Sequence, residues 1–338
     1  MQRPRLCYHC SMDPGVDPSP SVAWLLASEE PAVRYLARRD LLGDADADAW
    51  AADAARILDG PKVRALLAGQ QPDGGFGVRP YSKFAGAHWR LVSLVELAVP
   101  AGEPRVLAAT STVLDWLTGR SHRRGVKVIA GLARRCASQE GNALAVACRV
   151  GMAGDPRVEL MARSLVGWQW PDGGWNCDPR ASGRRSSFHE SLPPAWGLHE
   201  YWLATGAAWA HEAAGRATEL FLSHRLFRSL ADGEVIDRRW VVLHYPAYWH
   251  YDVLQALLIL SRLGKAGDPR TADALELLVR RRRPDGRWQP GAYWWRPPGS
   301  RSSGSYPVEV VDWGRSGPNE MLTLNALRVL QAASWSTR

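Results

Sequence analysis

The feature that most constrains this chain is a turn that occurs three times: "QQPDGGFG" from Gln70, "QWPDGGWN" from Gln169 and "RRPDGRWQ" from Arg282. In each copy the proline cannot continue a helix, and the aspartate can accept from nearby backbone amides. The glycine admits positive φ, and the aromatic ring can pack back on neighbouring elements. The turn residues therefore read as structural. Their aspartates, Asp73, Asp172 and Asp285, stand roughly a hundred residues apart, an interval that suits two helical hairpins. Degenerate copies are expected between them, at "LTGRSHRRG" from Leu117 and "FRSLADGEV" from Phe227.

Helical periodicity agrees with this spacing. Segments 61–70, 104–119, 155–170, 208–226 and 268–283 are amphipathic and each precedes a copy of the turn. More apolar helices follow, at 85–98, 136–151, 187–204, 249–264 and 318–333. A helix that is apolar nearly all round is a buried one, so the alternation predicts an outer ring around an inner ring. Residues 20–58 supply a further pair that closes or caps the array. No Ser/Gly-rich linker divides the chain, so the expectation is one all-α domain over residues 20–338. It would be an α/α toroid of about five to six helical hairpins, behind a disordered tail at residues 1–19.

Composition narrows the function. Hydrophobic residues make up 46% and charged residues 22%, as in ordinary globular chains, so the excess to explain is 17 tryptophans. The formal charge of +8 is carried mostly by arginines beside turns, as at His122–Arg124 and Arg280–Arg283, which read as solvated faces. No zinc-finger, RNA-recognition or P-loop pattern is present and the arginines line no single helix, so nucleic acid is not expected as a partner. Neither a secretory apolar region near Met1 nor an 18-residue apolar run occurs. No transmembrane segment is therefore expected, and the predicted location is cytoplasmic. The five cysteines, Cys7, Cys10, Cys136, Cys148 and Cys177, are odd in number and dispersed, which argues against a disulfide framework. Cys7 and Cys10 form a single Cys-x-x-Cys pair ahead of Pro18 and Pro20, in the tail, and translation could start at Met1 or Met12.

Gln-x-x-Asp-Gly-Gly-(Trp/Phe) at the end of an outer helix resembles the repeat of the terpenoid cyclase and protein prenyltransferase superfamily, whose fold is an α/α toroid. "GAHWRLVSLVEL", "HRLFRS", "WHYDVLQALLIL" and "LTLNALRVL" are similar to bacterial single-domain proteins of the prenyltransferase and squalene-cyclase repeat type. The departures bear on chemistry. The Asp-x-Asp-Asp motif of class II cyclases is missing, and "DADAD" at Asp44–Asp48 follows a helix end at Leu42–Gly43 and reads as a solvated N-cap region. The Asp-x-Cys half of the prenyltransferase zinc site is missing too, since Arg134 and Arg135 precede Cys136.

In such a toroid the inner helices run parallel, so their first turns meet at one rim. That rim would gather Lys83, His88, Cys136, Glu140, Cys177, His189, His250, Asp252, Asn319 and Glu320. Cys136, Cys177 and His189 form a ligand set suited to a catalytic zinc with one open position; the alternative is two buried thiols and a capping histidine. A fourth ligand, His88 or Asp252, would close the site and make it structural. Asp252 could act as an acid with a raised pKa, or serve as a helix N-terminal carboxylate. His250 and His88 are candidates to move protons. Lys83, Trp89, Arg90, Glu140, Trp249, Asn319 and Glu320 are candidate substrate contacts. Lys83, Arg90, Arg184 and Arg185 add positive charge for an anionic substrate, and the family implies a diphosphate with an apolar tail. The expected function is a zinc-dependent enzyme acting on a small hydrophobic, isoprenoid-type or anionic molecule in an aromatic-lined cavity. The alternatives are a metal-free cyclase protonating from Asp252, and a non-catalytic toroid with a structural zinc.

Overall fold

The computed structural model describes residues 19–43, 47–301 and 306–333. The tail with Cys7, Cys10 and Met12, and Asp44–Asp46 of the acidic string, lie outside the described residues. Helices dominate: α1 Pro20–Leu26, α2 Pro31–Ala37, α3 Ala47–Ala55, α4 Pro61–Leu67, α5 Ala87–Glu96, α6 Pro104–Thr118, α7 Arg120–Arg124, α8 Ser138–Arg149, α9 Pro156–Trp168, α10 Phe188–Thr205, α11 Ala208–Ser223, α12 Val253–Arg262, α13 Ala272–Arg280 and α14 Glu320–Ala332. The only sheet among the described residues is the hairpin of β1 Lys127–Ile129 and β2 Leu132–Arg134, with Lys127 opposite Arg134. Several starts carry the expected local signals. Proline opens α4, α6 and α9, and the side chains of Glu103, Asp155, Asp252 and Asn319 cap α6, α9, α12 and α14.

Each amphipathic segment and each apolar segment expected from periodicity becomes a helix. The degenerate turns behave differently from one another. The segment from Phe227 does make a turn, with the Ser229 amide donating to Glu234 and the Gly233 amide to Ser229. The segment from Leu117 does not: it lacks the Pro-Asp-Gly core and forms α7, from which the chain enters the β hairpin.

The three full copies share one set of bonds. The amides of Gly74, Gly173 and Gly286 donate to the carbonyls of Gln71, Trp170 and Arg283, each at 2.9 Å. Gly74 and Gly173 have φ of 84° and 94°, and a methyl added there would meet the backbone of Ala108 at 2.6 Å and of Arg216 at 2.3 Å. The turns thus dock directly on α6 and α11, and only glycine fits. Gln70 and Gln169 bridge the same gaps, donating to the carbonyls of Arg105 and Ala213. Trp175 and Trp288 are buried behind their turns. Their indole N–H groups cap Leu165 and Leu278, and their amides donate to Ser191 of α10 and Thr323 of α14.

The apolar helices touch in the order α5, α8, α10, α12, α14, and α14 in turn touches α1 and α2. On their far side α6, α9 and α11 follow one another. Space lined by α5, α8, α10, α12 and α14 amounts to about 60 Å³. It is bordered by Trp196, Tyr245 and Tyr248, but also by Asn142, His244 and the ion pair of Glu96 with Arg262 at 2.9 Å. Among the described residues no helix is long and apolar enough to cross a membrane.

Candidate metal centre

The site begins with the contact of α8 and α10. A methyl on Gly141 would lie 2.3 Å from the Pro194 nitrogen, and one on Gly197 would lie 2.4 Å from the Gly141 carbonyl oxygen. The two helices therefore cross backbone to backbone, and their first turns are held side by side. Ala137 offers α8 no capping side chain. Glu190, in the first turn of α10, supplies it: one carboxylate oxygen accepts from the Ser138 amide at 3.0 Å.

Two cysteines come close to the same carboxylate. Cys136 lies between β2 and α8, and Cys177 follows the Pro-Asp-Gly-Gly turn. The Arg135 amide donates to the Asn176 carbonyl at 3.0 Å, which sets the two segments side by side. Ligand atoms of Cys136, Cys177 and Glu190 all lie within 4.8 Å of one another, and Cys177 Sγ is 3.8 Å from Glu190 Oε1. Edges of a zinc tetrahedron with thiolate and carboxylate ligands are about 3.5 to 3.8 Å, so the span needs only small side-chain adjustment. All three residues are half-buried.

The electrostatics suit deprotonation at one sulfur. The Cys136 thiol donates to Cys177, which holds the Cys177 thiol below the usual range and pushes Cys136 up. Burial pushes the Glu190 carboxyl up. Tyr81 stands close enough to Glu190 and both cysteines for their charges to oppose its ionisation; burial is the larger cause, and Gln139 hydrogen-bonds its side chain. Glu140 is engaged elsewhere, accepting from Arg135 at 2.8 Å and lying 3.0 Å from His122 Nε2.

The third member of the group is thus Glu190 and not His189. Successive helix residues point about 100° apart, so the neighbour of Glu190 faces another way. The His189 ring lies among Trp240, Trp249 and Tyr251, and burial lowers its pKa to about 4. His88 and Asp252 are not members of the group either. His88 is buried against Tyr81, Trp89 and Trp116, with neither ring nitrogen hydrogen-bonded and its pKa lowered to about 3 by burial. Asp252 is buried and caps α12 through Gln255; it also accepts from the His244 amide and lies 2.8 Å from His244 Nδ1.

The candidate substrate contacts are distributed. His250 is sandwiched between Trp249 and Trp294, with its pKa lowered to about 3 by burial, and Lys83 Nζ sits 4.1 Å over the Trp249 ring. Trp89 is buried against Phe84. Arg90 lies 4.1 Å over Phe76 and donates to the carbonyls of Ala85, Leu66 and Ala68, so it closes the end of α4. Asn319 caps α14, and Glu320 pairs with Lys62 at 3.3 Å. Sequence reasoning missed Glu190 and Tyr81. Glu190 had a legible signal, an acid in the first turn of an apolar helix; Tyr81 lies in an irregular loop and had none.

A groove of about 350 Å³ opens beside the centre, lined by Trp116, Gly119, Ser121, His122, Gly125 and Arg135. Arg135 is the chain neighbour of Cys136, and Trp116 is a ring neighbour of Tyr81 at 5.7 Å. Compared with protein-family models, curated proteins and solved structures, the chain matches none.

Proposed function

We propose that the helices close into an α/α toroid and that the chain is a zinc-dependent enzyme whose metal is held by Cys136, Cys177 and Glu190. Closure is supported by three links between the chain ends: α14 against α1 and α2, Lys62 of α4 with Glu320 of α14, and Gly286 beside Ser21 of α1. The observation that carries the metal reading is the convergence of two thiols and a carboxylate from three separate segments within 4.8 Å. Two soft sulfurs favour zinc over magnesium or calcium, and three protein ligands leave a fourth position open. Zinc bound in this way supplies a Lewis acid at that open position. The chain's own residues do the rest. Ser138 fixes the orientation of Glu190, and Tyr81, kept protonated, can donate a hydrogen bond or a proton at the centre.

The substrate proposed is a small hydrophobic or isoprenoid-type molecule. The interior space of about 60 Å³ holds only a few waters, against roughly 300 Å³ or more for a typical small-molecule pocket. The groove beside Arg135 has that size and is the proposed entry. Metal analysis and cobalt substitution test the centre: about one metal per chain is expected, with thiolate-to-cobalt absorption. Cys136→Ala and Cys177→Ala should abolish binding, Glu190→Gln should weaken it by about 10- to 100-fold, and His189→Ala should leave it unchanged. Zinc below about 0.2 per chain in protein purified without added metal overturns the reading. Unfolding of Cys177→Ala would assign the zinc a structural role.

A further inference from the structure

We propose that the hairpin of β1 and β2, with the basic residues around it, is a docking surface for an anionic lipid bilayer. The hairpin reads "VKVIAGLAR" from Val126 to Arg134, and its exposed residues include Lys127, Ala130 and Gly131. Val128 is 70% exposed, the most exposed large hydrophobic side chain among the described residues. Arg120, Arg123 and Arg124 of α7 lie at its base, all exposed. The loop carrying exposed Arg184 and Arg185 is tied to the same face. Arg134 donates to the carbonyls of Ile129 and Gly183, and Asn176 donates to that of Arg185. None of Arg120, Arg123, Arg124, Lys127, Arg184 and Arg185 has a carboxylate within ion-pair distance among the described residues, whereas about half of the other described arginines do. An apolar hairpin ringed by unpaired cations matches a bilayer interface, where aliphatic side chains enter the headgroup layer and cations meet anionic lipid. A single-stranded nucleic acid would call for aromatic platforms instead, and the exposed centre of this face is aliphatic. The surface borders the groove of Gly125 and Arg135, so docking would present the groove to the lipid phase. The inference goes beyond the metal reading and does not depend on it.

Co-sedimentation of the full chain with vesicles tests the surface. Binding is expected to vesicles of phosphatidylcholine with about 30 mol% phosphatidylglycerol, but not to phosphatidylcholine alone. Roughly 0.5 M salt should release it, because the contacts are exposed charges. Each cation contributes roughly fivefold, so Arg123→Glu with Arg124→Glu should lower binding by at least about tenfold. Lys127→Glu and Val128→Asp should each weaken it, and Arg56→Glu, on an exposed residue outside the patch, should leave it within about twofold. Failure to sediment with the anionic vesicles overturns the proposal. So does equal sedimentation of all variants, or capture by RNA or an acidic peptide while vesicles are ignored. Zinc content measured on the same samples keeps a failure here separate from a failure of the metal centre.

Discussion

The turns at Gln169–Cys177 and Arg282–Pro290 share a Pro-Asp-Gly-x-Trp frame and end on residues of different chemistry. Both use the same glycine bond and bury a tryptophan whose indole caps the preceding helix and whose amide meets a hydroxyl of the next one. One ends on Cys177, within reach of Cys136 and Glu190; the other ends on Pro290. The copy at Gln70 keeps the frame by other means. There Phe76 replaces the tryptophan, and the Arg90 guanidinium covers the ring and caps Leu66. The frame thus repeats through interchangeable chemistry, while the candidate ligand occurs in a single copy. Repetition accounts for the architecture, and the departure from repetition marks the site.

Substitutions can break that contrast. The largest effect is expected from Trp175→Ala and Trp288→Ala, each losing about 3 to 5 kcal/mol in urea denaturation, since both rings are fully buried and make the same bonds. A loss at one turn only would show that the frames are not equivalent. Next comes acid sensitivity at the start of α5, where His88 stands without a polar partner. Its pKa is lowered to about 3, below the usual unfolded value of about 6.5. Its neutral form therefore favours the fold above pH 6.5, and that stability is lost as pH falls from there toward 3. The loss should reach about 3 kcal/mol by pH 4, and His88→Leu should flatten this part of the pH profile.

Smaller effects sharpen the picture. Gly173→Ala should cost about 2 kcal/mol or more, combining positive φ with a contact at 2.3 Å to Arg216. Gly141→Ala should cost about 1 to 3 kcal/mol by forcing α8 from α10, and it should lower metal affinity as well, because Cys136 and Glu190 flank that contact. The smallest stability change belongs to metal-free Cys177→Ala. Its side chain is half-buried and outside the turn's hydrogen bonds, so less than about 1 kcal/mol is expected. A large loss there would erase the division between frame and site.

The helices were legible because their causes are local. Proline and glycine mark the ends, and the period of apolar residues separates amphipathic from buried segments. The same signals located the turn that delivers Cys177. They could not exclude α7 and the hairpin after Leu117, where the turn core is absent and the local pattern is ambiguous. They also named Cys136 and Cys177 as a pair but chose His189 over Glu190 as their companion.

What the sequence by itself determined is the alternation of elements and the set of polar residues at the starts of buried helices, because short-range sterics and periodicity dictate both. Which of those residues meet was decided only in the tertiary structure. The rotation of α10 is set by its glycine contact with α8, and with about 100° between successive residues that rotation turns Glu190 to the cysteines and His189 to the tryptophans. Such an angle depends on side chains from two distant segments fitting each other, and no window along one chain contains both.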